Sequence, residues 1–147
     1  MVGIGNPQII LKVSEKFKNY SFPNLIHPNF IGHLETINLG IGNIITAGCI
    51  LTLQIKIGSF NIINLNTTIG HDSTIGNCNV FNPGCSISGG VKIGNCNLFG
   101  TNSTVLQYLN CGDNSILGAG AVLSKNLDSN KVAVGIPAKV IKENIIY

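Results

Sequence analysis

Apolar residues recur at every sixth position along most of the chain. Three six-residue steps make a coil of 18 residues, and a period of six fits short strands joined by turns rather than a 3.6-residue helix or a simple hairpin. The fifteen apolar positions are Leu39, Ile45, Leu51, Ile57, Ile63, Ile69, Ile75, Phe81, Ile87, Ile93, Phe99, Val105, Cys111, Leu117 and Leu123. The pattern predicts an all-β fold, a parallel β-helix of about five coils.

The coil length also predicts which side chains stack. Positions 57, 75, 93 and 111 are separated by 18 residues and should form one ladder inside the coil. The string IGNCN occurs at 75–79 and again at 93–97, which places Cys78 beside Cys96. We expect this pair to be structural, because thiols in the cytosol stay reduced.

The two ends of the chain depart from the repeat. Four apolar residues near the N-terminus have the spacing of one helix face, namely Ile9, Ile10, Val13 and Phe17. A strand at 22–26 and a turn at His27 and Pro28 should follow, and 126–130 reads as a polar loop. Residues 131–147 read as a tail with a turn at 135–138. Both ends should cap the solenoid, because exposed coil ends need a cover.

Composition narrows the class of protein. Charged residues make up 10% of the 147 residues and hydrophobic residues 44%, which excludes a disordered chain and a charged coiled coil. All nine basic residues are lysines, they are scattered, and the net charge is +3, so we expect no nucleic-acid partner. The uncharged stretch 36–55 is long enough for a membrane span, but it contains Asn38, Asn43 and Gln54 and follows the hexad phase, so no span is expected.

The cysteines and histidines do not have the spacing of a metal site. The five cysteines include no CxxC pair. This favours reduced thiols that pack as small apolar residues, and with them a cytoplasmic location. His33 and His71 are 38 residues apart, about two coils, so a three-histidine zinc site that also uses His27 is not expected.

His71 and Asp72 form the one titratable pair that interrupts the repeat. His71 comes two residues after Ile69 and should lie in a turn at the surface, where the carboxylate beside it can support an imidazolium. Such a pair suits a general base, although a solvated turn histidine has the same local sequence. Gly89 should lie one coil further on, where a backbone N–H without a neighbouring side chain can stabilise an oxyanion.

Taken together, several strings resemble the left-handed β-helix, or hexapeptide-repeat, acetyltransferases. They are the hexads, IGHDSTIG, FNPGCSISGGVKIG, ILGAGAVLSKN and VGIPAKVIK. Within that family the sialic acid O-acetyltransferase and UDP-amino-sugar N-acetyltransferase group is the most similar. Relatives usually begin with a βαβ nucleotide-sugar domain, and VGIGNPQIILKVSEKF resembles its last helix. The resemblance therefore implies a remnant of that α/β domain at 1–38, acting as a cap, and a left-handed β-helix acetyltransferase domain with its tail at 39–147.

The resemblance also implies a site. Family members are homotrimers that bind acetyl-CoA in a groove between subunits, and the matching general base is His71, with Asp72 as its acidic partner and the Gly89 N–H as oxyanion donor. Val80 stands where many relatives have a second histidine that contacts the acetyl group. The other positions implied to contact acetyl-CoA are Gly100, Thr101, Gly118, Ala119 and Lys139.

The sequence thus predicts a cytoplasmic acetyltransferase that moves acetyl from acetyl-CoA to an amine or hydroxyl of a sugar or nucleotide sugar for surface glycans. The sequence does not decide the acceptor or the choice between N- and O-acetylation. Alternatives are an acetyltransferase for another small acceptor, such as serine or an antibiotic, and a non-catalytic trimeric remnant. A γ-type carbonic anhydrase is a further alternative, which a zinc assay would separate.

Overall fold

The repeat folds into a parallel β-helix in which each coil contributes three two-residue strands. The computed structural model describes residues 2–145. The fifteen predicted hexads are strands β2 (Asn38–Leu39), β3 (Ile44–Ile45), β4 (Ile50–Leu51), β5 (Lys56–Ile57), β6 (Ile62–Ile63), β7 (Thr68–Ile69), β8 (Thr74–Ile75), β9 (Val80–Phe81), β10 (Ser86–Ile87), β11 (Lys92–Ile93), β12 (Leu98–Phe99), β13 (Thr104–Val105), β14 (Asn110–Cys111), β15 (Ile116–Leu117) and β16 (Val122–Leu123). The expected all-β, left-handed β-helix is confirmed.

Strands of successive coils pair in parallel and form three sheets, one on each side of a triangular coil. The second sheet contains β4, β7, β10, β13 and β16, and the third contains β2, β5, β8, β11 and β14. Their register is the predicted 18 residues, so Ile57 pairs with Ile75, Ile75 with Ile93 and Ile93 with Cys111. The inward residues of the ladder are therefore stacked on chemically similar neighbours.

The first sheet is longer than the other two, and the solenoid has about six turns instead of the predicted five. It begins with β1 (Leu25–Ile26), continues through β3, β6, β9, β12 and β15, and ends with β17 (Lys131–Val134) and the antiparallel β18 (Lys139–Glu143). Ile31 also bridges to Ile50, so residues before the predicted boundary at 38/39 already form a coil. A 3-10 helix, Leu34–Thr36, interrupts that first coil. The assignment of 1–38 to a remnant of a sugar-binding domain stays a prediction.

Two details at the ends differ from the sequence prediction. The strand expected at 22–26 is limited to β1, because only Leu25 and Ile26 pair with β3. The segment 126–130 is not wholly a polar loop, since Leu127 bridges to Cys111 and is buried in the core. The step from Leu123 to Leu127 is four residues, which ends the six-residue phase. The predicted turn at 135–138 is present and joins β17 to β18.

Helix α1 (Pro7–Lys16) lies on the outside of the first sheet. Its N-cap residue Asn6 accepts hydrogen bonds from two helix amides, at 3.0 and 3.1 Å, and proline occupies its first turn. The predicted apolar face is only partly right: Ile10 is fully buried, whereas Ile9 and Phe17 are 43% and 39% exposed. Within residues 2–145 there is no helix with the length and apolar character needed to cross a membrane.

A column of asparagines supports the corner beneath this helix. Four of them are fully buried and are separated by 18 residues: Asn43, Asn61, Asn79 and Asn97. Each side-chain oxygen accepts from the backbone N–H of the residue 18 positions later, at 2.7–2.9 Å. Because buried polar groups are costly without partners, the ladder ties every coil to the next.

The cysteines are free thiols, and all five are buried. Cys78 and Cys96 belong to the cluster under α1, as the 18-residue spacing predicted. The neighbouring Cys96 thiol and burial both raise the pKa of Cys78. Burial raises the pKa of Cys111 to about 12. The thiols of Cys78 and Cys111 are therefore protonated packing groups at neutral pH.

Candidate active site

His71 lies at the corner that joins the second sheet to the third, between β7 and β8. We call the column of turns at this corner the first corner; it contains Leu53, His71, Gly89 and Gln107, each followed by a residue at positive φ. The side chains of His71 and Asp72 are 58% and 56% exposed. The histidine is thus at the surface, as predicted, and open to a ligand.

The imidazole of His71 is held by the carboxylate that follows it. His71 Nδ1 lies 2.7 Å from Asp72 Oδ2. Asp72 reaches back because its backbone is left-handed, with φ 59°, a conformation that Asp tolerates better than most residues. Its N–H donates to the Leu53 carbonyl at 3.1 Å, which fixes the turn on the preceding coil. With Nδ1 directed at Asp72, Nε2 faces away from the pair and has no hydrogen-bond partner among residues 2–145.

Gly89 lies directly against the ring of His71. A Cβ at position 89 would stand 2.6 Å from His71 Nε2 and 2.8 Å from its Cε1, so any larger residue would displace the imidazole. The coil is anchored next to this glycine, because the Gly90 N–H donates to the His71 carbonyl at 2.7 Å. The imidazole ring of the candidate base therefore packs directly on the backbone of Gly89.

The Gly89 N–H has no hydrogen-bond acceptor among residues 2–145. The equivalent turn amides at the corner between the third and first sheets differ: those of Ser59, Asn77 and Asn95 each donate to an Asn or Asp side chain one coil later. At the first corner the residue one coil after Gly89 is Gln107, and its side chain accepts no hydrogen bond from the Gly89 N–H. Gly89 itself is half-buried, so its amide is a candidate donor to a ligand.

The positions implied to contact acetyl-CoA lie at a different corner, the one that joins the first sheet to the second. Thr101 and Ala119 are exposed there on successive coils, and the Gly120 N–H donates to the Thr101 carbonyl at 2.8 Å. The turn at 135–138 reaches the same corner, since Val122 N donates to the Gly135 carbonyl at 3.0 Å, and exposed Lys139 follows it. A single chain therefore does not bring this group beside His71.

Gly100 and Gly118 belong to this corner, but packing within the chain already explains them. A Cβ at Gly100 would collide with the Ala119 nitrogen, and one at Gly118 would stand 2.7 Å from Val134 Cγ1. Both glycines allow neighbouring coils to approach closely.

Val80 is fully buried and belongs to the cluster that α1 covers. It presents no surface to a ligand, so its placement gives no support to the predicted contact with acetyl-CoA. The cause is its outward position on β9, on the one sheet that the helix shields.

The other two histidines are described by contacts within their own segments. His27 accepts a hydrogen bond at Nδ1 from the Asn29 N–H, at 3.1 Å, and His33 caps the 3-10 helix. Residues 2–145 contain no group of three or more His, Cys, Asp or Glu placed to hold a metal ion. A cavity of about 350 Å³ lies between the start of α1 and strands β12 and β15, and none of the predicted site residues lines it.

Solved structures of acyltransferases share this fold over almost the whole chain. PerB from Caulobacter crescentus, in complex with CoA and GDP-perosamine, is 29% identical, with a TM-score of 0.93; the match covers 97% of this chain and 69% of that one. The acetyltransferase domain of PglB from Neisseria gonorrhoeae, in complex with acetyl coenzyme A, is 26% identical, with a TM-score of 0.92 and coverage of 96% and 69%. The chain has the fold of the hexapeptide-repeat acyltransferases.

A third hexapeptide-repeat structure matches less of the chain. UDP-N-acetylglucosamine O-acyltransferase (LpxA) from Moraxella catarrhalis is 26% identical, with a TM-score of 0.78 and coverage of 83% and 55%. No protein-family model and no curated protein sequence matches the chain. The predicted resemblance is confirmed by structure, while the predicted site residues stay predictions.

One residue of the first corner was missed by the sequence reasoning. Tyr108 lies one coil after Gly90, with φ 59°, and is 68% exposed. The sequence did contain a signal: Tyr108 occupies the hexad position with positive φ, where most of the other turns have Gly or Asn.

Proposed function

We propose that the chain is an acetyl-CoA-dependent acetyltransferase that acts on an amine or hydroxyl group of a nucleotide sugar. The observation that carries the proposal is the first corner itself: the His71–Asp72 pair rests on Gly89, whose N–H has no partner in the described part of the chain. A base and an unpaired amide donor on adjacent coils are the two groups that acyl transfer needs. PerB and the PglB domain, which share the fold, were crystallised with CoA and acetyl-CoA respectively.

In the proposed mechanism the acceptor attacks the thioester directly. Asp72 Oδ2 accepts the hydrogen bond from His71 Nδ1–H, which keeps the lone pair on Nε2. Nε2 takes the proton of the amine or hydroxyl as that group forms a bond to the thioester carbonyl carbon. The Gly89 N–H donates to the oxyanion of the tetrahedral intermediate. When the carbon–sulfur bond breaks, the imidazolium returns the proton to the CoA thiolate, so the base is regenerated.

The separation of the two corners supports a site shared between copies of the chain. Thr101, Ala119 and Lys139 are exposed at one corner and His71 at another. In a homotrimer of the kind that the family forms, the cofactor positions of one subunit can face the base of the next. We therefore include a homotrimer with acetyl-CoA between subunits in the proposal.

The experiment that tests the function is CoA release in a thiol-dye assay with acetyl-CoA and a panel of GDP-perosamine, UDP-4-amino sugars and sialic acid. Wild type is compared with His71→Ala and with His33→Ala, a control histidine that is also exposed. The proposal expects turnover on at least one acceptor, which is lost in His71→Ala and kept in His33→Ala. Bound acetyl-CoA without turnover on the whole panel would instead favour a non-catalytic role.

A further inference from the structure

Tyr108 occupies an unusual place beside the candidate base. Its φ of 59° is uncommon for a bulky residue, and its side chain is 68% exposed. The ring leans back over Gly90 of the preceding coil, because a Cβ at Gly90 would collide with Tyr108 Cδ1. The Tyr108 N–H donates to the Gly89 carbonyl at 3.0 Å, which holds this turn over the glycine pair.

Phe60 shows what such an aromatic residue does elsewhere in the chain. It also has a left-handed backbone, with φ 60°, and lies on Gly42 of the preceding coil at 2.7 Å from the position of a Cβ. The Phe60 ring is covered by Phe22, with ring centroids 5.0 Å apart, so packing offsets the backbone cost. Tyr108 has no aromatic partner among residues 2–145. The outer face of the Tyr108 ring is therefore not covered by another aromatic ring, whereas that of Phe60 is covered by Phe22.

The open ring borders the same glycines as the base. The imidazole of His71 lies against Gly89, and the ring of Tyr108 lies against Gly90, the next residue. Since neither glycine has a side chain, only backbone lies between the two rings. The unpartnered N–H belongs to Gly89, the glycine against which the imidazole packs.

We propose that Tyr108 is a specificity-determining residue that packs against the sugar ring of the acceptor while the nucleophile lies at His71 Nε2. This inference rests on the proposed function. The acceptor places its nucleophile at His71 Nε2, and Tyr108 shares that corner, whereas Thr101 and Ala119, the positions implied to hold acetyl-CoA, lie at another. A ring with an apolar face and a polar hydroxyl tip suits a sugar, which has apolar C–H faces and a polar rim.

The test replaces Tyr108 by Asn, the residue that holds a left-handed turn at positions 66 and 102. For Tyr108→Asn we expect a KM for the acceptor about tenfold higher, a KM for acetyl-CoA within twofold of wild type, and a Tm no lower than wild type, because Asn tolerates this backbone better. Tyr108→Phe keeps the ring, so both KM values should stay within threefold of wild type and the Tm should be unchanged. An acceptor KM within twofold in Tyr108→Asn, or a change confined to acetyl-CoA, would overturn the inference.

Failure of this inference can be told apart from failure of the proposed function. If wild type turns over an acceptor through His71 and Tyr108→Asn has normal kinetics, only the role of Tyr108 falls. If wild type turns over nothing, titration calorimetry with GDP-perosamine and one UDP-4-amino sugar decides. Binding about tenfold weaker in Tyr108→Asn supports the contact, whereas equal binding, or none to either protein, contradicts it.

Discussion

Substituting Gly89 by Ala perturbs the candidate base without removing any polar group. The new Cβ would lie 2.6 Å from His71 Nε2 and 3.0 Å from its Cδ2. The Gly89 N–H, the proposed oxyanion donor, remains in place. The substitution therefore tests whether the position of the imidazole on this glycine matters for catalysis.

The size of the effect follows from the contact distances. Ordinary contacts begin at 3.4 Å, so the ring must retreat by about 0.8 Å, the difference between 3.4 and 2.6 Å. A displacement of about 1 Å at a reacting group can cost about 10²-fold, and we expect kcat to fall by about that factor. The free energy of unfolding should change by less than about 1 kcal/mol, because an exposed side chain can move at little cost.

The control is Gly76→Ala, in the turn between β8 and β9 and away from the first corner. Its Cβ would meet the backbone of the next coil, including Gly94 C at 2.8 Å, and backbone cannot move as a side chain can. Gly76→Ala should therefore lower stability by about 2 kcal/mol. Steady-state kinetics and urea unfolding separate the two effects. A Gly89→Ala protein with kcat within threefold of wild type would show that the packing of His71 on Gly89 is irrelevant to turnover.

Three further predictions concern the supports of the site and the core. Asn79→Ala should lower the free energy of unfolding in urea by about 3 kcal/mol, because Asn79 is fully buried and hydrogen-bonded to both neighbouring coils. The control Asn77→Ala, at an exposed position, should cost about 1 kcal/mol or less. Equal losses would contradict the role of the buried ladder. Asp72→Asn keeps a residue suited to φ 59° and should fold normally, but kcat should fall by about tenfold or more in the CoA-release assay, and an unchanged kcat would exclude a role for the carboxylate. The pKa of Cys111 is raised from 9.0 to about 12, so above pH 9 the unfolded state loses a proton that the folded state keeps. The free energy of unfolding should therefore be constant below pH 9 and fall by about 1 kcal/mol by pH 10. Cys111→Val should remove that part of the fall.

The sequence predicted the solenoid well because its determinant is local and periodic. One inward aliphatic residue per strand specifies each short strand and its turn, and the constant coil length of 18 fixes which residues stack. For the same reason the surface position of His71 and its contact with Gly89 followed from counting residues. The departures occur where the period changes, as at Leu127, which comes four residues after Leu123 and was assigned to a loop.

The remaining differences depend on contacts between distant parts of the chain. Val80 was assigned to the acetyl-CoA contacts through the resemblance alone, and the docking of α1 that buries it could not be predicted from the repeat. The asparagine ladder was missed: its members recur every 18 residues in the sequence, but only the structure shows that they are buried and hydrogen-bonded between coils. Tyr108 could be singled out only once its ring was seen to lie on Gly90 with its other side uncovered.

The measurement that tests the central claim most directly is kcat of His71→Asn at saturating acetyl-CoA and acceptor, with His33→Asn as the control. Acetyl-CoA binding is measured on the same samples by calorimetry. The account predicts a fall in kcat of about 10² to 10⁴-fold for His71→Asn, with the Kd for acetyl-CoA nearly unchanged, and wild-type values for His33→Asn. A His71→Asn protein with kcat within tenfold of wild type would contradict general-base catalysis at the first corner.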